Sequence, residues 1–498
     1  MNKKFYVTTS IAYVNAPPHI GFALESVQAD VLARYYRRQG KEVFFLTGTD
    51  EHGVKIARAA VAVNKTPKEL VDENSEKFKD LKSALDLSWD NFIRTSDSEK
   101  HWPVAQELWK RLEKSGDIYK KTYSGLYCVG HEAFITQKDL IPVDEGNHFI
   151  CADHKKEPEV IEEENWFFRL SKYTKEIESR IKNDELRIVP ESKKNEILAL
   201  LKEEPEDVSF SRPSKDLSWG IPVPGDADQT MYVWADALSN YISGYGGIGE
   251  WEKHTADAHV IGKDILRFHA LIWPAMLISA GFKLPKAIFV HGHILSGGEK
   301  MSKSLGNVID PFELVKKYGS AGSPQVAADA VRYFLLREIP TMGDGDFSYQ
   351  KFEERYNGDL ANGLGNLVAR VAAIGEKLGD IESKTSIFEW FGGLITSFRK
   401  DPYEKLFSDF ELNKILEKIW GEIHELDRQI NTDKPWSEKD EAVLRKRIAG
   451  YGKKIIRIAD LLWPFMPKTS EKINEHFCLS GGILKIKKGA NLFPRLEK

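Results

Sequence analysis

Two short stretches far apart in the chain carry residue types suited to phosphate chemistry. Pro18-His19-Ile20-Gly21-Phe22 sets an imidazole beside a glycine at the start of an amphipathic run. A helix mouth presents unpaired N–H groups to phosphate, and Gly21 lets a purine or phosphate approach the backbone. Taken alone, that word reads first as a capped turn. Lys300-Met301-Ser302-Lys303-Ser304 follows Gly297-Gly298-Glu299 and precedes Leu305-Gly306. Two lysines three apart beside glycines form a loop able to close over a triphosphate and supply charge as the α-phosphate takes on a fifth bond. A third set, Cys128-x2-His131 and Cys151-x2-His154, matches the paired spacing of a closed Cys2His2 structural zinc knuckle. A metal-free remnant of such a knuckle is the other reading.

The elements that must position these groups are legible in outline. Phe5 to Ala12 reads as a strand, Ala23 to Gln39 as an amphipathic helix stopped at Gly40, and Glu42 to Leu46 as a second strand. A strand-helix-strand unit of this length implies parallel pairing, hence an α/β sheet. Met231 to Trp234, His259 to Ile261 and Lys286 to Val290 are short apolar runs bounded by Gly, Asp and Pro, suited to further strands of that sheet. Between them, residues 115–215 change character and read as an inserted subdomain. From about Phe352 the signal is helical. Leu412, Ile415, Leu416, Ile419, Ile423, Leu426 and Ile430 recur at i, i+3, i+4 and i+7, and Val443 to Leu462 is a comparable run. These runs predict a helical bundle.

Composition narrows the class. At roughly 150 residues per domain, 498 residues leave room for several cores. With 71 basic and 75 acidic residues the formal net charge is −4, so no bulk attraction to nucleic acid or anionic lipid is built in. Three cysteines are too few for a disulfide framework and suit a reducing compartment. The most apolar stretch, Phe268 to Phe282, contains His269 and Pro274 and is too short to span a bilayer. A cytoplasmic protein with no membrane association is expected.

With both phosphate words in view, the chain resembles the class I aminoacyl-tRNA synthetases, whose signatures are His-Ile-Gly-His and Lys-Met-Ser-Lys-Ser. More narrowly it is similar to the methionyl-tRNA synthetases over essentially its whole length. The similarity is carried by Ala12-Tyr13-Val14-Asn15, Phe45 to Gly53, Trp219 to Gly225, Tyr232 to Leu238, Ile261 to Ile265 and Val290 to His293. It implies a Rossmann-like parallel-sheet catalytic domain with an inserted connective subdomain and an all-α anticodon-binding bundle. The implied division is 1–114 and 216–315 for the two catalytic halves, 115–215 for the insertion, 316–355 for a linking stem-contact region and 356–498 for the bundle.

The resemblance also implies the reaction and its residues. Methionine and ATP, with Mg2+, would give methionyl-adenylate and pyrophosphate, and the methionyl group would pass to the terminal adenosine of tRNA(Met). His19, Lys300 and Lys303 would be catalytic. ATP would be held by His19, Gly21, His291, Gly292, Lys300, Ser302 and Lys303. Ile11, Tyr13, Trp234, Ala237, Leu238, Tyr241, Ile265 and His269 would form an apolar, aromatic pocket for a polarisable side chain, and Asp50 would hold the substrate's ammonium. Asn366, Arg370 and Trp436 would read the anticodon by stacking and edge hydrogen bonds. The insertion is too short to hold an editing module as well, which argues against isoleucine, leucine or valine as substrate. The chain ends at Lys498 without the dimerising module that some relatives append, which sets the expectation of a monomer.

Phe22 stands where the second His of the first signature belongs. A phenylalanine cannot donate to a phosphate oxygen, so one transition-state contact is absent or supplied elsewhere. Adenylation is expected to be slow but real, because His19 and the lysine word are intact. Phe22→His should raise the single-turnover adenylation rate, by up to about a hundredfold for one restored donor. A rate unchanged or lowered would dismiss the missing-donor reading.

Overall fold

The computed structural model describes residues 3–131, 133–135, 137–143, 148–301, 306–321, 326–382 and 401–496. The chain divides into two compact units. One is Met1–Pro18, Gly40–Asp80 and Trp89–Val290; the other is His19–Gln39, Leu81–Ser88 and His291–Lys498.

The first unit is built on a six-stranded sheet. Its order is Asn91–Arg94, Glu42–Asp50, Lys4–Tyr13, Ala258–Gly262, Ala287–His291 and Arg187–Val189. The first three strands pair in parallel, as do Lys4–Tyr13 with Ala258–Gly262 and Ala287–His291 with Arg187–Val189. Lys4–Tyr13 is buried along its middle, as the centre of a parallel sheet must be. This is the parallel sheet that the strand-helix-strand pattern implies and the Rossmann-like core that the resemblance implies.

Two details depart from expectation. Met231 to Trp234 is no strand of the main sheet. Asp226–Met231 instead belongs to a three-stranded antiparallel sheet with Ser211–Pro213 and Pro222–Val223, and Val233–Ala237 turns into a short helix. Four consecutive apolar residues carry no period, so the run itself does not tell strand from helix. Conversely, the three-residue strand Arg187–Val189 reaches the edge of the main sheet from inside the 115–215 segment. The rest of that segment holds a separate four-stranded sheet, formed by Val208–Ser209, Glu159–Phe168, Ile118–Cys128 and Ala133–Ile135. It also holds the hairpin Leu140–Val143 and His148–Cys151.

The second unit is mainly helical. Leu412–Asp433 buries Leu412, Ile415, Leu416, Ile419, Ile423, Leu426 and Ile430, the stripe the 3.6-residue period marks out. Glu441–Leu462 comes next, its first turn capped by the Asp440 carboxylate accepting from the N–H groups of Ala442 and Val443. A small sheet of Ile381–Glu382, Ile483–Ile486 and Phe477–Ser480 accompanies these helices. Its strands are too short for a visible alternation.

The helix Ile20–Arg38 belongs to this unit and is fastened by buried charge. Asp30, fully buried, accepts from Arg34 Nε at 2.7 Å, from the N–H and hydroxyl of Ser88 at 2.7 and 2.6 Å, and faces Arg332 Nη1 at 2.8 Å. Arg332 is equally buried and donates to the carbonyls of Phe465, Leu85 and Pro464 at 2.8, 3.1 and 2.9 Å. Its guanidinium thereby ties the His19-bearing helix to the end of the bundle. Removing one member of a buried pair strands the other. Arg332→Ala should therefore destabilise this unit by about 3–5 kcal/mol, measured as a lowered urea midpoint against wild type.

Candidate functional site

His19 caps the Ile20–Arg38 helix. Its Nδ1 accepts the Gly21 N–H at 3.0 Å. With Nδ1 occupied as acceptor, a neutral ring carries its proton on Nε2, pointing a donor away from the helix mouth. The ring keeps an exposed side, yet protein crowding around it is the main influence on its proton affinity and lowers it. Glu25 opposes that fall, and His293, His291 and Lys300 add to it. The neutral donor form is the one these surroundings favour at pH 7. Those same influences place His19, His291, His293 and Lys300 in one electrostatic neighbourhood.

Each neighbour is held in its own way. His291 ends its strand with Nε2 3.0 Å from a Glu25 carboxylate oxygen and Nδ1 2.8 Å from the Gly292 carbonyl. Gly292 lies against Gly343 and Asp344 so closely that a Cβ would come within 2.2 Å of Gly343 backbone atoms, which only glycine tolerates. The His293 N–H donates to Asp344 Oδ1 at 2.8 Å. Lys300 sits on a hairpin in which Ile294–Ser296 pairs with Glu299–Lys300 across Gly297-Gly298. Both turn glycines have positive φ, 66° and 79°, as a two-residue primed turn demands. Ser302 and Lys303 fall outside the described residues. Glu25 and Asp344 are members of this cluster that sequence reading does not reveal, and His293 stands in the stretch Val290 to His293 with no role given to it there. Glu25 lies 266 residues from His291 and carries no local motif.

The expected amino-acid pocket lies within the first unit. Ile11, Tyr13, Trp234, Leu238, Tyr241 and Ile265 all belong to one apolar cluster, and Ala237 is buried on the same short helix as Trp234. Trp234 stacks on Phe268 with centroids 3.7 Å apart and planes 7° apart. Tyr241 Oη and His269 Nε2 are 2.7 Å apart, while His269 Nδ1 faces the Ile265 carbonyl at 2.9 Å, so the Nε2 side accepts from the tyrosine in the neutral ring. Behind them His259, fully buried, is pushed well below the usual histidine range by loss of water and by His269. Asp50 ends its strand in register with Tyr13 and is buried. Phe268 and His259 are pocket neighbours with no signal in the sequence. A separate cavity of about 560 Å³, lined by Phe44, Asp90, Lys100, Val104, Ser243 and Tyr245 among others, contains none of the expected residues.

In the insertion the four Cys and His ligand atoms gather within 4.8 Å of one another. Sγ of Cys128 is 3.8 Å from Nδ1 of His154, and Sγ of Cys151 is 3.6 and 3.7 Å from Nδ1 of His131 and His154. A tetrahedral ion with S at ~2.3 Å and N at ~2.1 Å puts neighbouring ligands roughly 3.6 Å apart, so the donor set has the size of a zinc site. His131 Nε2 faces Asp153 Oδ2 at 3.0 Å, the kind of outer contact that orients a ligating imidazole.

In the helical unit, Asn366 and Arg370 lie one turn apart on Asn366–Gly375. The Arg370 guanidinium stands 5.4 Å over the ring of Trp436, which is 57% exposed. Asp427 and Asn431 hold that guanidinium at 2.9 and 2.7 Å. A flat, exposed, cation-backed aromatic is a platform for an unstacked base. Asp427 and Asn431 are a further pair that sequence reading misses.

A family model described as tRNA synthetases class I (M) matches residues 5–372. The methionine–tRNA ligase of Thermotoga maritima is 41% identical over 481 residues, covering 94% of this chain and 74% of that protein. That of Brucella suis is 39% identical, covering 95% and 91%. The solved structure of Mycobacterium tuberculosis methionyl-tRNA synthetase in complex with methionyl-adenylate superposes with a TM-score of 0.89 at 36% identity, covering 99% of this chain and all of that one.

Proposed function

The chain belongs to the class I tRNA synthetases of the methionyl kind and is a methionine–tRNA ligase; we propose a division of work among its residues. In the first step a methionine carboxylate oxygen attacks the α-phosphorus of ATP, a P–O bond forms, and the bond to the β-phosphate breaks to release pyrophosphate. Asp50 takes the ammonium, and Ile11, Tyr13, Trp234, Ala237, Leu238, Tyr241, Ile265 and His269 enclose the thioether. His19 donates from Nε2 to the phosphates, while Lys300, with Lys303, balances the charge of the leaving group. Gly21, His291, Gly292 and Ser302 complete the ATP site. Mg2+ accompanies ATP as its counter-ion. In the second step a hydroxyl of the terminal adenosine of tRNA(Met) attacks the mixed-anhydride carbonyl and AMP leaves.

The observation that carries the phosphate assignment is the helix-capping His19 with its Nδ1 occupied, among His291, His293 and Lys300. Asn366, Arg370 and Trp436 read the anticodon in this proposal, supported by the cation-backed ring. The five-part division inferred from sequence belongs to the same reading. The protein works as a cytoplasmic monomer in this proposal, its three free cysteines suiting a reducing compartment.

ATP–pyrophosphate exchange across a panel of amino acids tests the assignment. Exchange is expected with methionine and none with isoleucine, leucine or valine, and His19→Ala and Lys300→Ala should each lower it by about a hundredfold or more. Exchange unaffected by both substitutions would remove the two residues from the chemistry.

Cys128, His131, Cys151 and His154 hold a structural Zn2+ in this proposal, supported by the tetrahedral spacing of their ligand atoms. When bound, the ion would supply cross-linking of the insertion and no chemistry. Protein purified without chelator should contain one zinc per chain by elemental analysis, and Cys128→Ser with Cys151→Ser should lose it. Stoichiometric absence in the wild type would establish the metal-free reading.

A further inference from the structure

Asp236 is fully buried and stands between two buried imidazoles. His52 Nδ1 lies 2.6 Å from one carboxylate oxygen and His101 Nε2 2.7 Å from the other. His101 Nδ1 in turn faces the Ser243 hydroxyl at 2.8 Å. The other nitrogen of His52 is buried with no hydrogen-bond partner among the described residues, so Asp236 is that ring's one polar anchor there. Trp219 and Trp102 flank the ring, with centroids 5.4 and 6.0 Å away. Burial alone would push the Asp236 carboxyl up; the two imidazoles more than offset this and hold it below the usual carboxylate range.

The connectivity of this cluster is what matters. His52 lies two residues beyond Asp50 at the end of Glu42–Asp50. Asp236 lies on Val233–Ala237, the helix that carries Trp234 and Ala237 and leads into Leu238. A helix of five residues has no stability of its own, so its orientation is set by tertiary anchors. Its backbone bonds among the described residues are local, such as the Asp236 N–H to the Tyr232 carbonyl and the Leu238 N–H to the Trp234 carbonyl. Glu51, between Asp50 and His52, is separately locked by Arg94 at 2.7 and 3.0 Å and by the hydroxyl of Thr49 at 2.6 Å. The tripeptide end of the clamp is therefore rigid. His101 supports the far side from the start of Trp102–Lys114.

We propose that the His52–Asp236–His101 clamp is a positioning device for the amino-acid site: it holds the Trp234, Ala237 and Leu238 wall at a set separation from the Asp50 ammonium anchor, and so sets which length of unbranched side chain fits. The inference rests on the assignment of Asp50 and Trp234 to the methionine pocket. In this proposal the three clamp residues act through the elements they join and not by contact with substrate.

The test is ATP–pyrophosphate exchange with purified full-length variants, KM being read separately for methionine and for ATP. Asp236→Asn should raise the methionine KM about tenfold or more, the equivalent of one charge-assisted hydrogen bond, with the ATP KM within about twofold of wild type. Ethionine, longer by one methylene, should lose less than methionine does, narrowing the preference. His101→Ala should raise the methionine KM as well, while His101→Gln, whose amide N–H reaches the Nε2 position, should restore it. A merely structural role would reduce the amount of active enzyme, and thus kcat, with both KM values unmoved; that result overturns the clamp. Asp50→Asn and Trp234→Ala serve as controls. If they raise the methionine KM and the clamp variants do not, the pocket stands and the clamp falls; if they too leave it unmoved, the pocket reading fails and takes the clamp with it.

Discussion

A carboxylate removed from water survives only where cations and N–H donors replace the lost hydration, and that constraint runs through both units of this protein. Asp30 is buried and met by Arg34, Arg332 and Ser88. Asp236 is buried and met by His52 and His101. Glu51 is buried and met by Arg94 with Thr49, Ser75 and Ser96 hydroxyls. None of these is a good source of net stability, since apolar packing of similar shape does as well. What a fully paired buried charge does supply is direction: every partner must be present at hydrogen-bond distance, so the elements that carry them have one arrangement. The residues assigned to chemistry are attached to those elements. His19 opens the helix that Asp30 fastens, Asp50 is next to Glu51, and Trp234 is two positions from Asp236.

The phosphate cluster uses charge in a different way. His19 is crowded by protein and by other imidazoles, which disfavours its protonated form, while its Nδ1 is used up by the backbone. The result is a neutral donor whose proton sits on one defined nitrogen. A neutral imidazole offers an N–H donor without adding to the positive charge that Lys300 carries. Lys300, carried at the end of a short hairpin beyond a two-glycine turn, is exposed and brings its positive charge to the tip of a strand. Donor and charge are thus divided between two groups from distant parts of the chain.

How much of this is legible in the sequence depends on distance along the chain. The central strands can be read because Phe5 to Ala12 and Glu42 to Leu46 are apolar runs on either side of an amphipathic helix. The edge strand Arg187–Val189 cannot, because three residues show no alternation. Met231 to Trp234 misleads for a related reason, a short apolar run being the one pattern that strand and helix share. Motif residues such as His19, Lys300 and Asp50 are visible because their neighbours in sequence form a word. Their supports are not: His52 meets Asp236 across 184 residues, and Arg370 meets Asp427 across 57. Hydrogen bonds at those separations leave no local trace: His52 and Asp236 lie in stretches that carry the resemblance, yet nothing in either stretch says that the two meet.

Phe22 illustrates the effect of changing one part of such a site while the rest stays in place. Lys300 brings positive charge to the neighbourhood of His19, where Glu25 opposes its influence on the ring. What Phe22 lacks is a directed N–H, and potential is no replacement for that, because a developing oxyanion is stabilised by donors already at hydrogen-bond distance and not by charge spread over a neighbourhood. Both His291 ring nitrogens already face protein oxygens, one of Glu25 at 3.0 Å and the Gly292 carbonyl at 2.8 Å. The ring cannot turn to a phosphate without giving up a buried partner. The His293 backbone is likewise engaged, its N–H with Asp344 and its carbonyl with the Gly345 N–H. In the proposed division of work, the second histidine missing from the signature is therefore one directed donor missing from the chemical step.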